Sequence, residues 1–174
     1  MIDEMMKKTV IIRLARPEDA PDMAETHIRS WEVAYRGIVP AEYISQKNAS
    51  RHDLYARVIT EKNDTNYIIQ YAGKTVGLMK IAPPQDDDLG DEFYEVQSLY
   101  LHPDYFRMGI GSKALEFAFE KARNLSKTAM AVWVLADNIN SIRFYEKHGF
   151  IADGKIKDAP YGKVNEIIRM RKNI

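Results

Sequence analysis

Apolar positions along the chain change period several times, and each change predicts an element. Thr9 to Leu14 is a short β-branched run, predicting a strand that stops at Arg16-Pro17-Glu18-Asp19, where proline and acids suit the first turn of a helix. Ala20, Met23, Ala24, His27, Ile28 and Trp31 then recur at three- and four-residue intervals, so this helix has one face to bury until Gly37 and Pro40 interrupt it. A second helix is expected from Arg51 to Ile59, with Ser50 as N-cap and Leu54, Tyr55 and Val58 as its apolar stripe. Asn66 to Ala72 and Thr75 to Ala82 are rich in strand formers, and Gly73-Lys74 between them reads as a hairpin turn. After a loop from Pro83 to Asp91, a longer strand runs from Glu92 to Leu101 and is stopped by His102-Pro103-Asp104.

The helical period returns from Gly109 to Asn124, where Ala114, Leu115, Ala118, Ala122 and Leu125 share one side. Thr128 to Leu135 is a short apolar strand, Asn138 to His148 a compact helix closed by Gly149 at C′, and Phe150 to Lys157 with Val164 to Met170 a final antiparallel pair. Strand, helix and strand in succession imply a parallel crossover inside an otherwise antiparallel sheet. The expected class is α/β, with one mixed sheet in one domain over residues 1–174 and a core from about 9 to 171.

Composition narrows the function classes. The chain is 45% apolar and 29% charged, as an ordinary globular protein is, and its 25 basic and 25 acidic residues leave no positive field to gather nucleic-acid phosphates. With no cysteine, thiolate catalysis, disulfides and zinc–cysteine sites are all excluded. Met1 to Lys8 carries acids and lacks the apolar core of a signal peptide, and the apolar run from Ala129 to Ala136 is too short to span a bilayer. A cytoplasmic protein without nucleic-acid or membrane partners is expected. His27, His52, His102 and His148 lack metal-ligand spacing, so no metal is assigned; no Gly-x-Ser-x-Gly elbow supports a hydrolase.

Gly109-Ile110-Gly111 lies where a strand has ended and a helix begins. Unpaired backbone N–H groups there point at one spot, the helix dipole adds positive character, and glycine lets a phosphate approach closely, so a pyrophosphate is the natural ligand. Gly109-x-Gly111-x-x-Ala114 also fits a dinucleotide fingerprint, but His102 to Met108 separate it from the preceding strand and no acid follows at the required distance. No Gly-Lys-Ser/Thr of a P-loop is present.

Taken as a block, Glu95-Val96-Gln97-Ser98-Leu99-Tyr100-Leu101-His102-Pro103-Asp104-Tyr105-Phe106-Arg107-Met108-Gly109-Ile110-Gly111 resembles the central cofactor motif of the GNAT superfamily of N-acetyltransferases. Downstream, Asn138, Ser141, Phe144-Tyr145-Glu146-Lys147 and Gly149-Phe150 resemble its second signature. Phe106 departs from the pattern, which often has glutamine or arginine at that position. The resemblance implies a GNAT fold in which the strand ending near Leu101 splays from its parallel neighbour, and an enzyme that uses acetyl-CoA as co-substrate. The backbone of Leu99, Tyr100 and Leu101 would then pair with the pantetheine arm of coenzyme A. Arg107, Met108, Gly109, Ile110, Gly111 and Ser112 would hold the pyrophosphate, while Asn138, Ser141 and Tyr145 border the reactive end. Dimers are common in such a family, so a homodimer is a further expectation.

An alkyl amine with a pKa near 10.4 must be deprotonated before it attacks a thioester, at a cost of roughly 4.6 kcal/mol at neutral pH. By resemblance Glu95 occupies the base position, directly or through water, on the strand parity of Gln97 and Leu99. A phenol can supply the proton that the leaving thiolate needs, which makes Tyr145 the candidate acid. Ser30 to Ile38 resembles the first helix and turn of a GNAT subset acting on small amines and polyamines; there Trp31 and Tyr35, with Tyr161, are candidates for the acceptor wall, either as an aromatic face for a cation or as core. The acids from Asp86 to Glu92 read as a solvated loop, with attraction of a polycation as the alternative. The acceptor is expected to be a small amine, a polyamine or a protein amino group. A catalytically silent acyl-CoA-binding regulatory domain and a dinucleotide enzyme are the competing readings.

Overall fold

A computed structural model describes residues 9–174; the segment Met1 to Lys8 lies outside the described residues. Seven strands form one sheet in the order β1-β2-β3-β4-β5-β7-β6: β1 (Val10–Leu14), β2 (Asn66–Tyr71), β3 (Lys74–Ala82), β4 (Phe93–Leu101), β5 (Ala129–Leu135), β6 (Ile151–Pro160) and β7 (Val164–Asn173). Only β4 and β5 run parallel; every other neighbouring pair is antiparallel. The helices are α1 (Ala20–Ala34), α2 (Ala41–Ala49), α3 (Arg51–Val58), α4 (Ile110–Asn124) and α5 (Ile139–Lys147).

Helix α4 lies on one face of the sheet because Ala114, Leu115, Ala118 and Ala122 form a stripe with no solvent exposure, and alanine allows close approach to Met79, Met130 and Val132. On the opposite face Ala20, Met23 and Ala24 of α1 meet Ile68 and Leu78, with Tyr55 of α3 completing the cluster. Full burial of a side chain such as Met23 or Ile68 contributes about 1.5–3 kcal/mol.

Four expectations change. The hairpin turn is Ala72-Gly73, one residue earlier than Gly73-Lys74: Tyr71 pairs with Lys74, and Ala72 and Gly73 both have positive φ, 51° and 76°. Such a two-residue loop matches the twist of the flanking strands. The segment after Pro40 is a helix, α2, whose one buried residue is Ile44. Ser50 does not cap α3; its hydroxyl instead donates to the Lys47 carbonyl at 3.0 Å. Finally, β4 carries a bulge: Lys80 pairs with Ser98 and Ile81 with Val96, leaving Gln97 as the extra residue. Tyr94, Val96, Leu99 and Leu101 therefore all reach the α4 side, and Glu95 shares the other face with Ser98 and Tyr100 instead of with Gln97 and Leu99.

Candidate active site

β4 and β5 pair only from Phe93–Ala129 to Val96–Val132. Beyond this point the two strands continue without a ladder, so the inner edge of β4 from Gln97 to Leu101 has main-chain groups that no strand satisfies. A cleft of about 620 Å³ opens there. Its walls are Leu99, Tyr100 and Leu101 of β4, the turn before α4, the inward side of α5, and the end of α1 from Ser30 to Tyr35.

The turn before α4 is shaped by two left-handed residues, Arg107 at φ 60° and Gly109 at φ 77°. Lys113 is the first amide of α4 to reach a carbonyl, that of Gly109 at 3.2 Å, and the amides from Arg107 to Ser112 have no backbone acceptor among the described residues. A Cβ on Gly109 would meet nothing within 4 Å, so its glycine answers to φ alone. At Gly111 a Cβ would lie 3.2 Å from the Phe144 ring, so there the absence of a side chain lets α5 pack on α4. Arg107, Gly109, Gly111 and Ser112 line the cleft; Ile110 points into the core and Met108 into solvent, leaving their amides as their means of contact. Phe106 lines the same wall and is partly exposed. The arrangement fits a bound pyrophosphate: several free N–H groups at a helix start, close approach, and no acid among the lining residues.

On α5, Asn138 caps the helix by accepting from the Ser141 amide at 3.2 Å, and both residues line the cleft. Tyr145 is 7% exposed, and burial, then neighbouring Tyr100, push its phenol above its ordinary range, so it remains a proton donor at any physiological pH. His148 was not singled out in the sequence. Its Nδ1 donates to the Phe144 carbonyl at 2.7 Å, which leaves Nε2 to accept from the Ser112 hydroxyl at 2.9 Å and ties α5 to the α4 turn.

Glu95 is 7% exposed and does not line the cleft. It sits beneath the loop before β4, where burial and then Asp86 raise its carboxyl above the ordinary value, against the opposing Gln85 amide, Lys157 and Lys80. Two acids of that loop, Asp86 and Asp88, are held by cations of the chain itself, while Asp87, Asp91 and Glu92 are exposed as in a solvated loop. Asp88 accepts both Nη groups of Arg169 at 2.7 and 2.9 Å, and Asp86 accepts from Trp133 at 2.8 Å and pairs with Lys157 and Arg169. A β6 bulge around Gly154 delivers Asp153 to Arg169 Nε at 2.7 Å. Asp86 and Asp88 are thus taken up by the basic residues of β6 and β7, and Asp91 by Lys127.

Trp31 is buried among Val39, Ile44 and Leu135, with Tyr35 at 5.0 Å and Tyr161 at 5.9 Å between ring centroids. Tyr35 reaches the cleft beside Tyr100, whereas Trp31 and Tyr161 stand behind it. Of the two rings suggested as a face for a substrate cation, Trp31 is already covered by a cation of the chain, the Arg51 guanidinium lying 4.3 Å from its ring centre. Among the described residues, no acidic or histidine cluster could hold a metal ion, and no helix is long and apolar enough to cross a membrane.

Residues 23–150 match the acetyltransferase (GNAT) family. An uncharacterized N-acetyltransferase of Methanocaldococcus jannaschii is 26% identical over 82% of this chain, which spans only 61% of that relative's length. The uncharacterized N-acetyltransferase YuaI of Bacillus subtilis is 27% identical, over 80% of this chain and 79% of its own. In fold, the chain is similar to the PaiA N-acetyltransferase of Thermoplasma acidophilum, solved in complex with coenzyme A, with a TM-score of 0.75 at 20% identity over 95% of this chain and 99% of that one. It is also similar to YncA of Salmonella typhimurium, solved with acetyl-CoA, with a TM-score of 0.64 at 17% identity over 95% and 94% of the two chains. With more than half its length matching the family, and with a splayed parallel pair and a glycine turn framing one cleft, the chain belongs to the GNAT family of acetyltransferases.

Proposed function

We propose that the protein transfers an acetyl group from acetyl-CoA to the primary amine of a small molecule or a protein by direct attack. The observation that carries this reading is the convergence on one cleft of three things: the free amides of Arg107 to Ser112, the unpaired inner edge of β4, and the Tyr145 phenol. The amides hold the pyrophosphate. The main chain of Leu99, Tyr100 and Leu101 pairs with the pantetheine arm as a neighbouring strand would, which sets the thioester beside Tyr145. As the amine nitrogen bonds to the acetyl carbon and the carbon–sulfur bond breaks, Tyr145 gives its proton to the departing thiolate.

Glu95 takes the proton lost by the amine. Because its carboxylate lies outside the cleft lining, transfer runs through water along the Ser98–Tyr100 face of β4. Its raised affinity for a proton suits that role, since a carboxylate in its ordinary range is a weak base toward an ammonium group. The test is release of free CoA thiol from acetyl-CoA across a panel of amines. Release that depends on the amine, and that falls in Tyr145→Phe while CoA affinity is kept, is the expected result; CoA binding without release for any amine would instead identify a silent binding domain.

A further inference from the structure

Behind Tyr35 and Tyr100 lies a group of buried polar atoms that the protein leaves without partners. Arg51, at the start of α3, is 7% exposed, yet its Nε and Nη2 make no hydrogen bond, and no carboxylate among the described residues pairs with it. The titratable groups around it are the phenols of Tyr100, Tyr55, Tyr35, Tyr43 and Tyr161 and the imidazole of His27. Trp31, whose ring it covers, has an unpartnered indole N–H. His27 stands edge-on to the same ring at 5.5 Å and stacks on Tyr100 at 4.1 Å. Tyr55 sits 2.7 Å from its Nδ1, and the Nε2 on the other side of the ring is buried without a partner.

A buried cation with no counter-ion is costly to fold around, and so is each unmade hydrogen bond. Nε and Nη2 form one edge of the guanidinium, the edge that meets the two oxygens of a carboxylate side-on. The sign of the charge, the geometry of that edge and the surplus of donors all call for the same ligand. Tyr35 and Tyr100 line the cleft on one side and touch this cluster on the other, so a ligand in the cleft meets Arg51 by displacing one of these two phenols.

We propose that Arg51, assisted by Trp31 and His27, is the receptor for a carboxylate on the acceptor, so that the substrate is an amine that also carries a carboxylate across a short spacer, and not a polyamine. This rests on the acetyltransferase reading for its chemistry. The Trp31 face, already covered by a cation of the chain itself, repels a second positive charge and draws in a negative one.

The test compares ω-amino acids of increasing chain length with their own amides, and with spermidine, in the thiol-release assay. The acids are expected to exceed their amides in kcat/KM by roughly 10- to 100-fold at the best spacer length, the range of a paired, charge-assisted hydrogen bond. In Arg51→Gln that ratio should collapse toward unity, with Arg51→Lys intermediate because the charge remains but the paired edge is lost. Spermidine or the amides outperforming the acids, or an unchanged ratio in Arg51→Gln, overturns the proposal. A second readout separates ligand binding from a structural role: without acceptor, Arg51→Met should raise Tm by about 2–4 °C or more by removing an unpaired buried charge, whereas a guanidinium needed to hold Trp31 in place would make Tm fall. If no amine at all supports thiol release, the acetyl-transfer reading fails by itself. Calorimetric titration of the ω-amino acids into the CoA-loaded protein then decides the receptor: binding lost in Arg51→Gln upholds it, and no binding to the wild type overturns it.

Discussion

Replacing Arg169 with methionine tests whether the loop before β4 is fastened by its ion pairs. The side chain is 2% exposed and contacts three carboxylates: Asp88 through both Nη groups, Asp153 through Nε at 2.7 Å and Asp86 through Nη1 at 3.4 Å. Removing one partner of a buried ionic network costs about 3–5 kcal/mol, because the charges left behind stay desolvated. Here each acid keeps another cation: Arg171 at 2.7 Å for Asp153, Lys155 at 3.1 Å for Asp88, and Lys157 for Asp86. The loss therefore belongs at the low end, about 3 kcal/mol, which lowers Tm by about 6–12 °C in a chain of this size. Thermal melts at low and high salt measure it. Arg29→Met, which removes an exposed cation from Glu25 and Glu32 on α1, serves as control and should shift stability by less than about 0.5 kcal/mol. An Arg169→Met melt at or above the wild-type temperature would show that the network's desolvation outweighs its attraction, and the loop would then need another fastening.

Tyr145→Phe removes the proposed proton donor while keeping the ring in the core, so kcat should fall by about 100-fold or more with CoA affinity within a factor of about two, measured by single-turnover kinetics and equilibrium binding. Glu95→Gln should lower the rate most at acid pH. Because burial raises the folded-state pKa of Glu95, its contribution to stability is present below the unfolded carboxylate pKa and lost as pH rises through the folded value; the variant should therefore gain on the wild type in urea melts from pH 4 upward, and identical pH dependences would refute the raised pKa. Ala72→Asn places a residue that tolerates the left-handed conformation in the β2–β3 turn and should stabilise by about 1 kcal/mol, read as a Tm rise of about 2–4 °C.

The element order was legible because the helical stripe of α4 and the β-branched strands announce their periods locally, and the glycine turn announces its ligand through its position between them. What stayed hidden has non-local causes. Helix α2 turns a mostly polar surface to solvent, so its single buried Ile44 leaves no stripe to detect. The bulge at Gln97 is set by pairing with β3, and nothing in Gln97-Ser98 itself marks an extra residue; hence Glu95 was assigned to the wrong face. Arg169 meets Asp88 across 81 positions and His148 meets Ser112 across 36, so nothing local marks either acid or histidine as paired. Arg51 reads in the sequence as an ordinary first-turn residue, and only its burial against Trp31 gives it meaning.

The gap between β4 and β5 places an unpaired strand edge in the middle of a sheet, where edges ordinarily invite unwanted chains. Here the edge lies inside a cleft walled by the end of α1, the turn before α4 and α5. A ligand docked there is recognised through amide and carbonyl groups that every residue type supplies. Replacing Leu99, Tyr100 or Leu101 by alanine would alter packing and leave those groups in place, so side-chain scanning is blind to this part of the site. Proline at Leu99 or Leu101, which deletes the N–H itself, or chemical ester substitution of the backbone, would reveal it.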